Sequence, residues 1–349
     1  MPSALEQLWY GDSLRAHLAR AALRPAELVY AGAVRVRGTL YDRGLLARHA
    51  APLPVLAVGN LSVGGTGKTP VTAWAVARLR ERGARPAVVL RGYGGDEPIV
   101  HERLNPGLTV VVDPDRVRGA RAAHAAGADC VVMDDAFQHR RVVRLQDWVL
   151  VSAERFDVAT RLLPAGPLRE PRGALARASV VIVTRKIASA ARAAEIADRL
   201  ESASRVPAAV VHLAPSGTVN AVDGSPRGLD VLRDARVVAV AAVGAPDDFF
   251  GQLRELGARE VRGFAFRDHH DFSSDDVRRV VAAASGADAV VCTLKDAVKL
   301  APLWPRDAIP LWYVSQRADV ERGAAVLDAS LASILAARAS TPSPAGPPG

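Results

Sequence analysis

Only four of the 45 basic residues are lysines, at positions 68, 186, 295 and 299, and Lys68 closes a glycine-rich run. That run is Val58-Gly59-Asn60-Leu61-Ser62-Val63-Gly64-Gly65-Thr66-Gly67-Lys68-Thr69-Pro70. It follows Pro54-Val55-Leu56-Ala57-Val58, which predicts a buried strand, and precedes Val71 to Leu79, which predicts a helix. A turn in this setting leaves the N–H groups of Gly64, Gly65, Thr66 and Gly67 free to surround a phosphate chain. The helix N-terminus behind it adds a partial positive charge. Lys68 would reach the β- and γ-phosphates, and the Thr69 hydroxyl would hold Mg²⁺. The general phosphate-loop pattern has glycine where this chain has Ser62, so the loop alone implies no more than a nucleoside triphosphate.

A second chemical element is Val131-Val132-Met133-Asp134-Asp135, an apolar strand ending in two acids. In phosphate-loop proteins such an acid holds Mg²⁺, directly or through water. Magnesium binds few carboxylates and keeps waters and phosphate oxygens, so Asp134 and Asp135 suffice. Two further clusters are ambiguous taken singly. Gly95-Asp96-Glu97-Pro98 reads as a turn. Arg267-Asp268-His269-His270-Asp271 has metal-binding residue types, but adjacent histidines rarely point at one ion. A histidine oriented by a neighbouring acid could equally assist a general base.

The elements that must position these residues follow from periodicity. Residues 54–58, 86–90, 109–112, 130–133, 148–151 and 179–183 are short, β-branched-rich runs separated by helical stretches. They predict an α/β fold, a P-loop NTPase-like parallel sheet with helices on both faces. Sites in such sheets lie at the C-terminal ends of the strands, where Arg91-Gly92-Tyr93 and Asp134-Asp135 fall. After turn-rich stretches at 215–217 and 223–226, strands at 236–243, 288–292 and 311–314 predict a second, smaller α/β domain without a phosphate loop. The expected organisation is an N-terminal amphipathic segment (1–50), the P-loop core (51–213), the C-terminal α/β domain (214–338) and a disordered tail of Ser, Thr, Pro, Ala and Gly (339–349).

In residues 1–50, Leu5, Leu8, Trp9, Leu14, Leu18 and Leu23 recur at near-helical spacing up to Pro25, and seven arginines face four acids. This fits either a helical pair packed on the core or an interfacial element with arginines against anionic lipid. The formal charge of +8 and pI near 10.0 raise the question of a polyanion partner. The arginine excess is partly compositional, and no aromatic-interleaved basic stripe or zinc-knuckle spacing accompanies it, so no nucleic acid is expected. Cys130 and Cys292 fall in or at the end of strands and read as core residues in a reducing, cytosolic setting. No apolar run reaches the roughly 18 residues of a membrane span, and the N-terminus shows no signal-peptide pattern.

Taken together, the motifs resemble one family. Asn60 to Pro70, Arg91-Gly92-Tyr93-Gly94, Gly95-Asp96-Glu97-Pro98 and Asp134-Asp135-Ala136-Phe137-Gln138-His139 occur in its order. Leu163-Pro164-Ala165-Gly166-Pro167-Leu168-Arg169-Glu170, Phe266 to His270 and Lys295-Asp296-Ala297-Val298-Lys299 follow. The chain resembles the tetraacyldisaccharide 4'-kinases of lipid A biosynthesis, from the N-terminal segment to about residue 315. Ser62 sits where that family has Ser or Thr.

The resemblance implies transfer of phosphate from MgATP to the 4'-hydroxyl of a tetraacylated glucosamine disaccharide 1-phosphate, the lipid A precursor. It also implies a peripheral position at the cytoplasmic face of the bacterial inner membrane, with no obligate protein partner evident. It makes Asp96 the general base, supported by His269 beside Asp268, and places Lys68 and Arg169 on phosphate charge. It puts Asp134, Asp135, Gln138 and His139 near metal and nucleotide, with Tyr93, Glu97 and Glu170 in the active site. A lipid acceptor favours the interfacial reading of residues 1–50.

Three departures stand out. The two motifs at 91–98 are fused where the family has a longer insert, Leu294 replaces a common Glu, and Ala136 replaces a Gly. The competing class is a membrane-associated P-loop ATPase or GTPase switch without a lipid acceptor. That class needs Lys68, Thr69 and Asp134 and gives no reason for Asp96, Arg169 and His269.

Overall fold

The computed structural model describes residues 4–92, 95–158, 160–244 and 246–339. Tyr93 and the tail after residue 339 lie outside the described residues. The chain forms two compact units, and neither is a single contiguous block. One comprises residues 8–93, 101–213 and 318–349, and the other 1–7, 94–100 and 214–317.

Helix α1 (Ala4–Tyr10) spans the boundary between the units, and α2 (Leu14–Ala22) and α3 (Arg24–Asp42) lie in the larger one. The first helical pattern stops before Pro25 as the sequence predicts, α2 ending at Ala22, and Pro25 occupies the first turn of the next helix, α3. There proline's missing N–H has no helical partner to lose and its fixed φ suits the helix. The parallel sheet follows, with β1 (Val55–Asn60), β2 (Pro86–Leu90), β3 (Thr109–Val112), β4 (Cys130–Met133), β5 (Gln146–Ser152), β6 (Val180–Arg185) and β7 (Ala208–Asn220). Its order is β3-β2-β4-β1-β5-β6-β7, and the β1–β4, β1–β5, β2–β3, β2–β4, β5–β6 and β6–β7 pairings are all parallel.

Every residue of β1, β2 and β4 is buried, as a parallel sheet covered on both faces requires. Alternation sends Leu56 and Val58 to one face and Val55 and Ala57 to the other. On the first face α4 (Lys68–Glu81) contributes Val71, Val76 and Leu79. On the second, α6 (Arg116–Ala125) contributes Val117, Ala120 and Ala123. Between them in sequence lies α5 (Glu97–Leu104), and α7 (Ala190–Ser204) covers β5 and β6 through Ile196 and Leu200.

In the smaller unit β7 continues through Pro215–Gly217, where a turn-rich linker was expected, and pairs antiparallel with β8 (Pro226–Arg227). Pro215 lies outside the short ladder with β8, which joins only Thr218 and Val219 of β7. The strands β9 (Arg236–Ala241), β10 (Glu260–Ala265), β11 (Ala289–Cys292) and β12 (Leu311–Arg322) add the order β10-β9-β11-β12. The pairings within that set are parallel. Helices α8 (Pro246–Glu255), α9 (Ser274–Ala283) and α10 (Leu294–Leu300) accompany them. This is the second α/β pattern the sequence predicts.

The last described helix, α11 (Ala324–Ala339), belongs to the larger unit, although the sequence pattern assigns it to the C-terminal block. Its Leu327, Leu331 and Ile334 are fully buried in the core beneath α4, and Ser330 accepts a hydrogen bond from Trp148. Each such side chain contributes on the order of 2 kcal/mol, which holds the helix to that sheet. Cys130 and Cys292 are both buried. Among the described residues no helix is long and apolar enough to cross a membrane.

Candidate active site

The glycine-rich loop links the end of β1 to α4 in the larger unit. Gly67 occupies the N-cap of α4 with φ +80°, and no side chain caps the helix. A β-carbon at Gly67 would fall 2.2 Å from Leu213 Cδ1, so both the conformation and the space call for glycine. Gly64 also lies in the left-handed region, at φ +110°. Gly64 and Gly65 are exposed, with no protein atom near where a β-carbon would stand. The result is a helix N-terminus with no side-chain cap behind an exposed glycine turn; Thr66 N–H, expected to be free, donates instead to Gly64 O at 3.0 Å.

The turn is held from below. Thr66 is buried, its hydroxyl accepting from Asn60 Nδ2 at 2.8 Å and its carbonyl from the Thr184 hydroxyl at 2.9 Å. It is also stapled sideways to the 163–170 segment. Val63 N donates to Pro167 O at 2.8 Å and Arg169 N to Leu61 O at 2.6 Å. These two bonds bring Arg169 alongside a loop more than 100 positions earlier in the sequence.

Asp134 and Asp135 follow β4. Asp135 has φ +50°, and its carboxylate lies between two cations. Arg169 Nη1 donates to both oxygens at 2.9 and 3.0 Å, and Lys68 Nζ stands 3.6 Å away. Burial pushes the Asp135 carboxyl up, but Lys68 and Arg169 outweigh it and hold it below the ordinary range. Asp134 is buried. Its Oδ2 lies 2.9 Å from His101 Nε2, and its Oδ1 accepts from Asp135 N at 2.9 Å.

Gln138 Nε2 donates to Asn60 O at 2.9 Å, tying this loop to β1. Burial, reinforced by Arg116, lowers the His139 imidazole to about 4, so it is neutral at neutral pH. Arg144 donates to the carbonyls of Ala136 and Phe137 and pairs with Asp147 at 3.2 Å. Glu170 is buried, with one oxygen held by Arg177 at 2.8 Å. Thr69 is half-buried in the first turn of α4.

Helix α3 has two different faces. Leu28, Val29 and Val36 are 71%, 75% and 59% exposed. On the inner side the Tyr30 hydroxyl donates to Arg169 O at 3.0 Å and Arg37 donates to Gln138 O at 2.7 Å. Glu27 accepts from Leu162 N at 2.9 Å.

The smaller unit carries Asp96 and His269. Asp96 precedes α5, its carbonyl accepting from Val100 N at 3.0 Å. Its side chain is 2% exposed, and Oδ1 lies 3.5 Å from His269 Nδ1. Burial raises the Asp96 carboxyl, but His269 and then Lys295 and Lys299 outweigh this and keep it ionised below the usual range. His269 has φ +58°, with its N–H donating to Ala242 O at 3.2 Å.

The adjacent histidines part ways. His270 bonds Asp276 at 3.0 Å and stacks on Phe266, a structural role, whereas His269 turns to Asp96. Glu97 opens α5 half-buried, and Asp268 is exposed. The sequence-expected residues thus fall into two sets, one in each unit. The supporting residues His101, Arg144, Tyr30, Arg37 and Thr184 carry no motif signal, since their contacts are long-range or run to backbone.

A glycine-rich loop closed by a lysine, opening a helix beside strand-end carboxylates in a parallel sheet, defines a P-loop nucleotide-binding protein. Comparison with known proteins narrows the class. The LpxK family model, tetraacyldisaccharide-1-P 4'-kinase, matches residues 19–97 and 94–336, its two segments meeting at the fused 91–98 motif. A tetraacyldisaccharide 4'-kinase of Anaeromyxobacter sp. (strain K) is 39% identical, covering 98% of both chains. That of Halorhodospira halophila (strain DSM 244 / SL1) is 40% identical over 88% of this chain and 90% of its own. LpxK from Aquifex aeolicus, solved in complex with ATP, aligns with TM-score 0.70 and 26% identity over 90% of this chain and 99% of its own. The chain belongs to the tetraacyldisaccharide 4'-kinase family.

Proposed function

We propose that this chain transfers the γ-phosphoryl group of MgATP to the 4'-hydroxyl of a tetraacylated glucosamine disaccharide 1-phosphate. Phosphoryl transfer needs positioning and charge neutralisation more than covalent help from the protein. In this reading Gly64 to Gly67 and Lys68 hold the phosphates, and Arg169 takes up charge on the transferring group. Nucleotide entry would draw Lys68 and Arg169 away from Asp135, exchanging one anionic partner for another.

Mg²⁺ fits the oxygen donors present, namely the Thr69 hydroxyl and the Asp134 and Asp135 carboxylates. Among the described residues no group of three or more His, Cys, Asp or Glu could hold a metal by itself. That suits an ion that keeps waters and phosphate oxygens. When bound, Mg²⁺ neutralises charge on the phosphates. Gln138 and a neutral His139 supply polar contacts near the nucleotide, and Tyr93, Glu97, Asp268 and Glu170 are assigned to the acceptor side.

Asp96 accepts the proton of the 4'-hydroxyl as that oxygen bonds to the γ-phosphorus and the bond to the β-bridging oxygen breaks, releasing ADP. His269 orients the carboxylate and shares the proton. The observation that carries the reading is this pair: a buried carboxylate kept ionised beside an imidazole, for which a nucleotide switch has no use. The exposed Leu28, Val29 and Val36, with Arg24 and Arg35 on the same helix, support a peripheral position on the anionic cytoplasmic face of the inner membrane, where the acyl chains of the acceptor reside.

The test is incubation with γ-labelled ATP and the lipid disaccharide 1-phosphate. Label is expected on the lipid; nucleotide hydrolysis with no labelled lipid would overturn the proposal in favour of a switch.

A further inference from the structure

Helix α10 carries two of the four lysines, and both stand near Asp96. Lys299 does more than add charge. Its Nζ lies 3.3 Å from His269 O, 3.3 Å from His270 O and 3.5 Å from Asp271 Oδ1, and its side chain is 14% exposed. The first two contacts hold the consecutive carbonyls of His269 and His270, which follow the left-handed residue whose imidazole faces Asp96. His269 needs such a hold, because its φ of +58° is a conformation that non-glycine residues adopt only when the surroundings enforce it.

The base of α10 is fixed to the same place. The buried Asp296 accepts from Ala242 N at 3.2 Å and from the Thr293 hydroxyl at 2.6 Å, while Ala242 O accepts from His269 N. One short helix therefore secures the His269 turn from both sides.

We infer that Lys299 is a positioning residue for phosphoryl transfer, clamping the left-handed turn of His269 against Asp96 and keeping a cation beside that carboxylate. The inference rests on the reading of Asp96 as the general base. The charged groups facing Asp96 are His269 from the 266–273 loop and Lys295 and Lys299 from α10. An ammonium suits the task, because its freely rotating donors can serve two carbonyls and an acid at once, which a planar guanidinium does not.

The experiment compares Lys299→Met, Lys299→Arg and Asp96→Asn in the full chain, measuring kcat, KM for ATP and the pH profile of kcat. For Lys299→Met, kcat should fall about 10- to 100-fold, the scale of a misplaced catalytic group, with KM for ATP unchanged. The acidic limb of its profile should move to higher pH, since removing the cation makes Asp96 easier to protonate. Lys299→Arg keeps the charge, so its acidic limb should stay in place and part of kcat return.

A Lys299→Met enzyme with wild-type kcat and an unmoved acidic limb, beside a crippled Asp96→Asn, would overturn the inference and leave the base intact. A fully active Asp96→Asn would overturn the base reading itself. Should Lys299→Met lose its cooperative melt, Lys299→Gln, polar and uncharged, decides on the same readouts.

Discussion

Gly59→Ala tests how tightly Asp134 and Asp135 are tied to the glycine-rich loop. Gly59 lies in β1, one residue before Asn60. A β-carbon built there meets Phe137 Cβ at 2.6 Å, Phe137 N at 2.6 Å and Phe137 Cα at 3.1 Å. Two of those atoms are backbone, so no side-chain rotation relieves the contact. Reaching an ordinary separation near 3.4 Å requires a shift of about 0.8 Å between β1 and Phe137.

Phe137 is fully buried and stands two residues after Asp135. The shift would reach the 2.9 Å bond between Asp134 Oδ1 and Asp135 N and the Arg169 contacts of Asp135. Hydrogen bonds of this kind tolerate only a few tenths of an ångström. Overpacking of this kind costs about 1–3 kcal/mol of stability. Misplacing catalytic groups by about 1 Å costs about 100-fold in rate, or about 2.7 kcal/mol in the barrier.

The assay is kcat together with a thermal melt. Gly251→Ala in α8, where the β-carbon meets nothing within 4 Å, serves as the control. That change should gain about 0.5–1 kcal/mol from helix propensity and leave kcat alone. A Gly59→Ala protein with wild-type kcat and melting temperature would refute the reasoning.

Asp96→Asn should lower kcat by about 10²- to 10⁴-fold while leaving nucleotide affinity unchanged in an equilibrium titration; a parallel loss of ATP binding would count against a base role. Asp296 is raised by burial from the ordinary 3.8 to about 6, so its stabilising contribution is complete below the unfolded value and is lost as pH rises through about 6. Melts of wild type should therefore fall relative to Asp296→Asn between pH 4 and 7, by up to about 3 kcal/mol; parallel curves would show no such linkage. His101→Leu removes the side-chain donor to the buried Asp134. It should weaken the Mg²⁺ dependence of nucleotide binding by about 10- to 100-fold, the usual cost of losing an outer-shell partner. His101→Gln should restore part of it, and an unaltered Mg²⁺ titration of His101→Leu would exclude the support role.

What the sequence made legible was chemistry carried by contiguous residues. The loop from Ser62 to Thr69 announces its strand–turn–helix setting because glycine, lysine and a flanking apolar run each have one plain physical reading. Asp134 and Asp135 were legible for the same reason, as acids at the end of a buried strand. Tertiary contacts were not. Nothing in the residues of α5 says that His101 reaches Asp134. The bonds from Leu61 and Val63 to the 167–169 segment run through backbone atoms, which leave no mark in composition. Pro215 misled in the same way, since it lies within β7. Proline breaks an element only where its N–H is needed, and that depends on neighbours the sequence does not display. The sequence pattern grouped residues 324–338 with the C-terminal block, and which sheet α11 would cover depended on where the chain returned after β12.

The two faces of α3 bear on how the enzyme can be dissected and how it can vary. Deleting the first 50 residues would remove Leu28 and Val29 together with the Tyr30 hydroxyl and the Arg37 guanidinium that brace the Arg169 and Gln138 backbones. A truncated enzyme would then turn over slowly even on detergent-dispersed lipid, and a deficit of loop order would be mistaken for one of surface affinity. Outward substitutions such as Leu28→Asp with Val29→Asp separate the two effects. The same division sets two clocks for sequence drift along one helix. On the proposed peripheral reading its outer positions are free to follow the lipids of the host, while Glu27, Tyr30 and Arg37 are tied to the backbone they brace.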